Sequence, residues 1–120
     1  MNAAAQAITT YAHVALGARV EAADPHELTL MLYEALLASI DAMCAAGGSL
    51  AYIAPRAQAL SALHGLERGL DYDADAALAR NFATLFRSVA ERLTQTDQSG
   101  WATARRDVAD LTQMWRSLRP

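Results

Sequence analysis

Apolar residues dominate one stretch of the chain, where positions 28–40 read LTLMLYEALLASI. Its acidic residues Glu27, Glu34 and Asp41 are spaced seven apart, so on a helix they form one narrow polar stripe. An ordinary surface helix buries an apolar stripe a little over about 100° wide. This helix therefore needs cover over most of its circumference, either from the rest of the chain or from a partner.

Both ends of this helix carry capping signals. Asp24 can accept hydrogen bonds from the first-turn N–H groups, Pro25 suits the first helical position, and Glu27 occupies the third position of a capping box. The glycine pair 47–48 ends the helix, because glycine tolerates the left-handed conformation of a C-terminal cap. These signals predict a helix over residues 25–46.

Three further segments show helical periodicity. The second helix is predicted from about Pro55, and its apolar positions are Ala57, Leu60, Leu63, Leu66 and Leu70. The third, which Asp73 or Asp75 can cap, has Leu78, Phe82, Leu85, Phe86, Val89 and Leu93. The fourth has Trp101, Ala104, Val108, Leu111, Trp115 and Leu118. Four helices with short connections favour an all-α, antiparallel up-down four-helix bundle over residues 25–118.

A weaker helical segment precedes the bundle. Ile8, Tyr11, Ala12 and Ala15 fall at helical spacing, but this apolar face is too small to hold a helix alone. We therefore predict that residues 1–20 form a short cap that docks on the bundle. At 120 residues, the whole chain is expected to be one domain.

Composition narrows the classes of partner. The chain has a formal net charge of −3, no lysine and one cysteine, Cys44. Its basic pair, Arg105-Arg106, is too small to hold a nucleic-acid backbone. A lone cysteine suits a reducing compartment, and the N-terminus lacks the basic region and apolar core of a signal peptide. No uncharged apolar stretch has bilayer length. We expect a cytoplasmic protein with no nucleic-acid or membrane partner.

No pattern indicates catalysis or a cofactor. His13, His26 and His64 lie in three different segments, and no two of them have the spacing of metal ligands on one helix. The carboxylates of the acidic stripe are about 10 Å apart, too far for paired acid–base work. We predict no catalytic residues, no metal and no cofactor. A soluble bundle with excess apolar surface indicates an interaction protein.

Several stretches of the chain match a known family in order and spacing. They are Tyr11 with Val14, Asp24-Pro25-His26-Glu27-Leu28 followed by Met31-Leu32-Tyr33-Glu34, Leu66 to Asp71, Leu85-Phe86, Glu91-Arg92-Leu93 and Trp115. Together they resemble the flagellin-specific export chaperones of the FliS family over nearly the whole chain. Two departures concern the partner surface: no Gly-Gly precedes the third helix, and Phe86-Arg87-Ser88 stands where Tyr-Asp-Tyr is usual.

The resemblance implies a cytoplasmic chaperone that binds the C-terminal helical segment of flagellin and presents it to the export apparatus. It also implies that the N-terminal segment covers part of the client groove and yields to the client. On this basis we predict a displaceable lid formed by Ile8, Tyr11 and Val14. Groove residues are predicted among the apolar side chains that the four stripes do not require, namely Tyr33, Leu37, Tyr52 and Ile53.

Three alternatives remain open. The chain could be an export chaperone for another helical client. It could be a self-associating bundle whose excess apolar surface forms a homodimer interface, whereas the resemblance implies a monomer or weak homodimer. It could also be a small all-helical mutase of the chorismate mutase type, although such sites place basic residues inside the bundle and these arginines fall mainly off the apolar stripes.

Overall fold

The computed structural model describes residues 24–118, and this range contains four α-helices and no strand. The helices are α1 (Pro25–Ala45), α2 (Ile53–Arg68), α3 (Ala76–Leu93) and α4 (Gln98–Ser117), with a 3-10 turn at Leu50–Tyr52. The all-α prediction is confirmed. The predicted cap segment, with Ile8, Tyr11 and Val14, lies outside the described residues.

Local capping explains where the helices begin and end. Asp24 accepts the Glu27 N–H at 2.8 Å at the start of α1. Of the two candidate caps for α3, Asp75 is the one used, because its carboxylate accepts the Leu78 N–H at 3.0 Å. Gly47 has a φ of 61°, in the left-handed region that favours glycine. The chain therefore turns where the glycine pair predicted that α1 would end.

Helix α1 is the central element of the bundle, since it makes its most extensive contacts with α2 and α4. Its first turn meets the last turn of α4 through His26 and Trp115. Its C-terminal half meets the N-terminal half of α4 through a 2.6 Å ion pair between Asp41 Oδ1 and Arg105 Nε. The two helices are therefore antiparallel. Helix α3 contacts α2 and α4 less extensively than α1 does.

The apolar circumference of α1 is covered largely by the chain itself. Leu36, Ile40 and Met43 are fully buried and belong to a core cluster with side chains from α2, α3 and α4. By length and composition alone, α1 is long and apolar enough to cross a membrane. Core helices of soluble proteins satisfy the same criterion, and here α1 is packed into the bundle core.

Most residues of the three other predicted stripes are buried or pack against the core, but a few members differ. On α2, Ala57 is exposed and Ala59 and Ala62 are buried in its place. On α3, Leu78 and Leu85 are exposed. On α4, Leu118 is exposed and Thr112 is buried, with its hydroxyl donating to the Val108 carbonyl at 2.7 Å. On α3, small side chains, Ala79 and Ala83, occupy core positions while the larger Leu78 and Leu85 face outward.

Candidate partner-binding groove

Large apolar side chains remain exposed at several places within residues 24–118. They are Leu28, Leu50, Ile53, Tyr72, Leu78, Leu85, Met114 and Leu118. Four of the eight belong to α3 or to the end of α4. Single exposed apolar residues need no explanation, but exposed apolar side chains that line one groove are typical of an interaction site, and Leu85 and Met114 share such a groove.

A groove of about 300 Å³ lies between α3 and α4. Its lining is Leu85, Ser88 and Val89 from α3 and Asp107, Asp110, Leu111 and Met114 from α4. We call this surface the α3–α4 groove. Leu85 is 46% exposed and Met114 is 37% exposed. Because the groove lies between two adjacent antiparallel helices and is open to solvent, its shape suits an elongated partner such as a helix.

Small residues on α3 explain why the groove exists. Ala79 and Ala83 occupy core positions in register with Phe86, so this face of α3 faces the bundle interior. Leu85 directly precedes Phe86 and is therefore turned about 100° around the helix, away from the core. The apolar surface of α3 is wider than the part that the bundle buries, and Leu85 from the remainder lines the groove.

Polar groups close one end of the groove. The Arg92 guanidinium lies 2.8 Å from the Asp107 carboxylate and joins α3 to α4 at that end. Asp110 also lines the groove, and it makes no hydrogen bond or ion pair within the described residues. Toward the other end the lining is apolar, with Leu85 and Met114. One end of the groove is therefore polar and the other end is apolar.

A clasp between α1 and α4 lies beside the groove. The Trp115 indole N–H donates to the His26 carbonyl at 3.0 Å, and His26 Nε2 donates to the Trp115 carbonyl at 3.0 Å. The two rings stack with centroids 5.0 Å apart and planes 14° apart. The Nδ1 atom of His26 is buried without a hydrogen-bond partner. Because Trp115 directly follows Met114, this clasp fixes α1 next to the apolar end of the groove.

The four predicted groove residues that the structure describes do not form one surface. Tyr33 is only 2% exposed and packs against Phe86 and Trp115, and burial raises its pKa to about 12. Leu37 is half-buried against the core. Tyr52 and Ile53 are neighbours at the start of α2, where Ile53 is 50% exposed. The partner-binding role of these residues remains a prediction.

The sequence reasoning did not find Leu85, Leu111 and Met114 as groove residues. The first two were assigned to core stripes, and Met114 lay off the predicted stripe of α4. The signal that could have found them is the alanine pair of α3, since small residues at core positions leave the larger apolar side chains for another surface.

The whole sequence can also be compared with models of known protein families. A model of the family described as Flagellar protein FliS matches residues 7–120. The chain belongs to the FliS family. The family is one of flagellar chaperones, so the α3–α4 groove of this FliS-family protein is a candidate client site. No curated protein and no solved structure gives a significant match.

Two observations on residues 24–118 concern other kinds of site. No cluster of three or more histidine, cysteine, aspartate or glutamate side chains within residues 24–118 could hold a metal ion. No arginine in that range is buried in the bundle interior, where a mutase of the chorismate mutase type would need cations to hold its substrate carboxylates.

Proposed function

We propose that this protein is a cytoplasmic chaperone that binds the C-terminal helical segment of flagellin. It keeps that segment from polymerising prematurely and presents it to the flagellar type III export apparatus. Family membership supports the class of function. The observation that carries the binding mode is the open, apolar α3–α4 groove.

The chemistry of the groove fits such a client. An amphipathic helix binds a preformed groove through apolar anchors at positions i, i+3, i+4 and i+7. Leu85 and Val89 on one wall and Leu111 and Met114 on the other form an apolar lining along about one helical turn. A client that is disordered before binding loses conformational entropy when it folds, so it needs a large apolar contact to bind tightly.

The lid hypothesis belongs to the same proposal. Residues Ile8, Tyr11 and Val14 would cover client-binding surface in the empty chaperone and be displaced by the client. Removing residues 1–16 should then increase the fluorescence of a dye that binds apolar surface and should strengthen client binding. A truncated protein that binds no more dye than the intact one would disprove the lid.

Calorimetric titration with the C-terminal segment of flagellin from the same genome, followed in parallel by circular dichroism, tests the function. We expect one-to-one binding, a gain of helix and a negative heat-capacity change. No binding by the folded protein would refute the proposed function. Sedimentation analysis distinguishes it from self-association, because a dimer that persists after client addition would favour a homodimer interface.

A pair of matched variants tests the binding surface. Leu85→Glu and Ile53→Glu each place a carboxylate at an apolar side chain that is about half exposed, so both should fold. Full burial of a leucine contributes about 1.5–3 kcal/mol. Leu85 is already about half buried in the bundle, so burying the remainder against a partner contributes roughly half of that, and Leu85→Glu should weaken client binding by roughly three- to tenfold. Ile53→Glu should weaken client binding less than Leu85→Glu does. The opposite order would place the client at the start of α2.

A further inference from the structure

The α3–α4 groove carries an uncompensated negative charge. Two of its lining residues are carboxylates, Asp107 and Asp110. Arg92 neutralises Asp107 in a 2.8 Å ion pair. Asp110 makes no ion pair within the described residues, and Arg106, one turn earlier on the same helix, does not reach it. Among residues 24–118, one negative charge therefore faces the groove without a partner.

The position of Asp110 makes this charge important for binding. Asp110 adjoins Leu111, and both line the groove together with Val89 and the neutral Ser88 of the opposite wall. A helix that covers Leu111 and Val89 also removes water from the Asp110 carboxylate. Partial desolvation of a carboxylate is unfavourable unless the incoming partner supplies a cation or a hydrogen-bond donor.

We propose that Asp110 is a specificity residue of the groove, and that it selects amphipathic helices with an arginine or lysine beside the apolar stripe. The apolar part of the lining, from Leu85 and Met114 to Val89 and Leu111, accommodates apolar side chains spaced three or four residues apart. The basic residue lies about one turn beyond them, next to Asp110. This inference deepens the proposed function and rests on it for the assignment of the groove as the client site.

Charge complementarity also defines the direction in which a partner helix lies in the groove. The Arg92–Asp107 ion pair lies at one end of the groove, and Leu85 and Met114 lie toward the other. A partner helix with a cation at one end of its stripe can satisfy Asp110 in only one of the two possible orientations. Asp110 thus distinguishes the two directions of an otherwise symmetric apolar contact.

Two synthetic helical peptides of about eighteen residues test the inference without depending on flagellin. They share one leucine stripe and differ at a single flanking position, which is lysine in one and glutamate in the other. Each is titrated by calorimetry against the intact protein and against the variants Asp110→Asn, Asp110→Lys and Glu67→Lys. Glu67 is an exposed acidic residue on α2, away from the groove. Glu67→Lys therefore changes the net charge of the protein by the same amount as Asp110→Lys but leaves the groove unaltered.

We expect the intact protein to prefer the lysine peptide by roughly two- to fivefold, the range of a partly exposed ion pair. Asp110→Asn should remove the preference, Asp110→Lys should reverse it, and Glu67→Lys should leave it unchanged. The preference should shrink as salt is added. Equal affinities for the two peptides, a preference that survives Asp110→Lys, or no binding of either peptide would overturn the inference.

A parallel titration with the flagellin segment separates the two proposals. If the peptides are discriminated through Asp110 but flagellin does not bind, the client assignment fails and the selectivity of the groove stands. If flagellin binds and the peptides are not discriminated, the proposed function stands and the role of Asp110 is refuted.

Discussion

The clasp between His26 and Trp115 makes a quantitative prediction about stability. Replacing His26 with alanine removes one hydrogen bond, from His26 Nε2 to the Trp115 carbonyl, and the ring stack. It leaves the second hydrogen bond in place, because the Trp115 indole donates to the backbone carbonyl of residue 26. It also removes the buried, unpaired Nδ1 atom.

The expected loss follows from these contacts. A net hydrogen bond contributes about 0.5–1.5 kcal/mol, and a stacked ring pair contributes about 0.5–1.5 kcal/mol beyond its buried area. Alanine returns up to about 0.7 kcal/mol through its higher helix propensity. The free energy of unfolding of His26→Ala should therefore fall by roughly 0.3–3 kcal/mol, with a central value of about 1.5 kcal/mol.

A double-mutant cycle isolates the stack. Each hydrogen bond ends on a backbone carbonyl, so His26→Ala and Trp115→Ala each remove their own hydrogen bond, and they share only the contact between the two side chains. Urea unfolding, followed by circular dichroism because Trp115 itself is changed, should give a coupling free energy of about 0.5–1.5 kcal/mol.

The matched control is His64→Ala. His64 is an exposed histidine on α2, so its replacement should change the free energy of unfolding by less than about 0.5 kcal/mol. The argument is refuted if His26→Ala costs no more than His64→Ala. It is also refuted if the coupling free energy between the two clasp residues is zero.

Three further predictions concern the fold. Leu36→Ala, at a fully buried site, should cost about 2–5 kcal/mol in urea unfolding, whereas Leu50→Ala, at a 72% exposed site, should cost less than about 0.5 kcal/mol. Asp75→Ala removes the cap of α3 and should cost about 0.5–2 kcal/mol, measured in the same way. Burial raises the pKa of Tyr33 from 10.0 to about 12, so the folded state holds this proton more tightly than the unfolded state. Stability should be unaffected below pH 10 and should fall between pH 10 and 12, and Tyr33→Phe should reduce that fall.

The sequence predicted the helix ends best where the signal is local. Asp24, Pro25 and Gly47 each act through their own backbone neighbourhood, and the predicted helix over 25–46 agrees with α1 to within a residue at its C-terminal end. The start of α2 was placed about two residues late, because a 3-10 turn leads directly into Ile53 ahead of the proline. Whether a segment forms a helix, and which residues cap it, can thus be predicted from the sequence of that segment alone.

The orientation of the helices is a property of the whole bundle and could not be read in the same way. On α3, the positions of Leu78, Leu85 and Phe86 are all compatible with one broad apolar arc. Only packing decides that Phe86 enters the core with Ala79 and Ala83 and that the two leucines stay outside. Periodicity identifies an apolar arc, but it does not say which part of an arc is buried when the arc is wider than its neighbours can cover.

The same reasoning accounts for the location of the candidate site. The excess apolar surface was expected on α1, whose sequence is the most apolar, but α2 and α4 cover much of that helix. Apolar residues without cover occur instead on α3, which makes fewer contacts with its neighbours. Leu36 is fully buried in the bundle, whereas Leu85 is 46% exposed and Met114 is 37% exposed, so each contributes less burial to the bundle than Leu36 does. If the α3–α4 groove is the client site, as we propose, a substitution at Leu85 should weaken binding more than it destabilises the bundle.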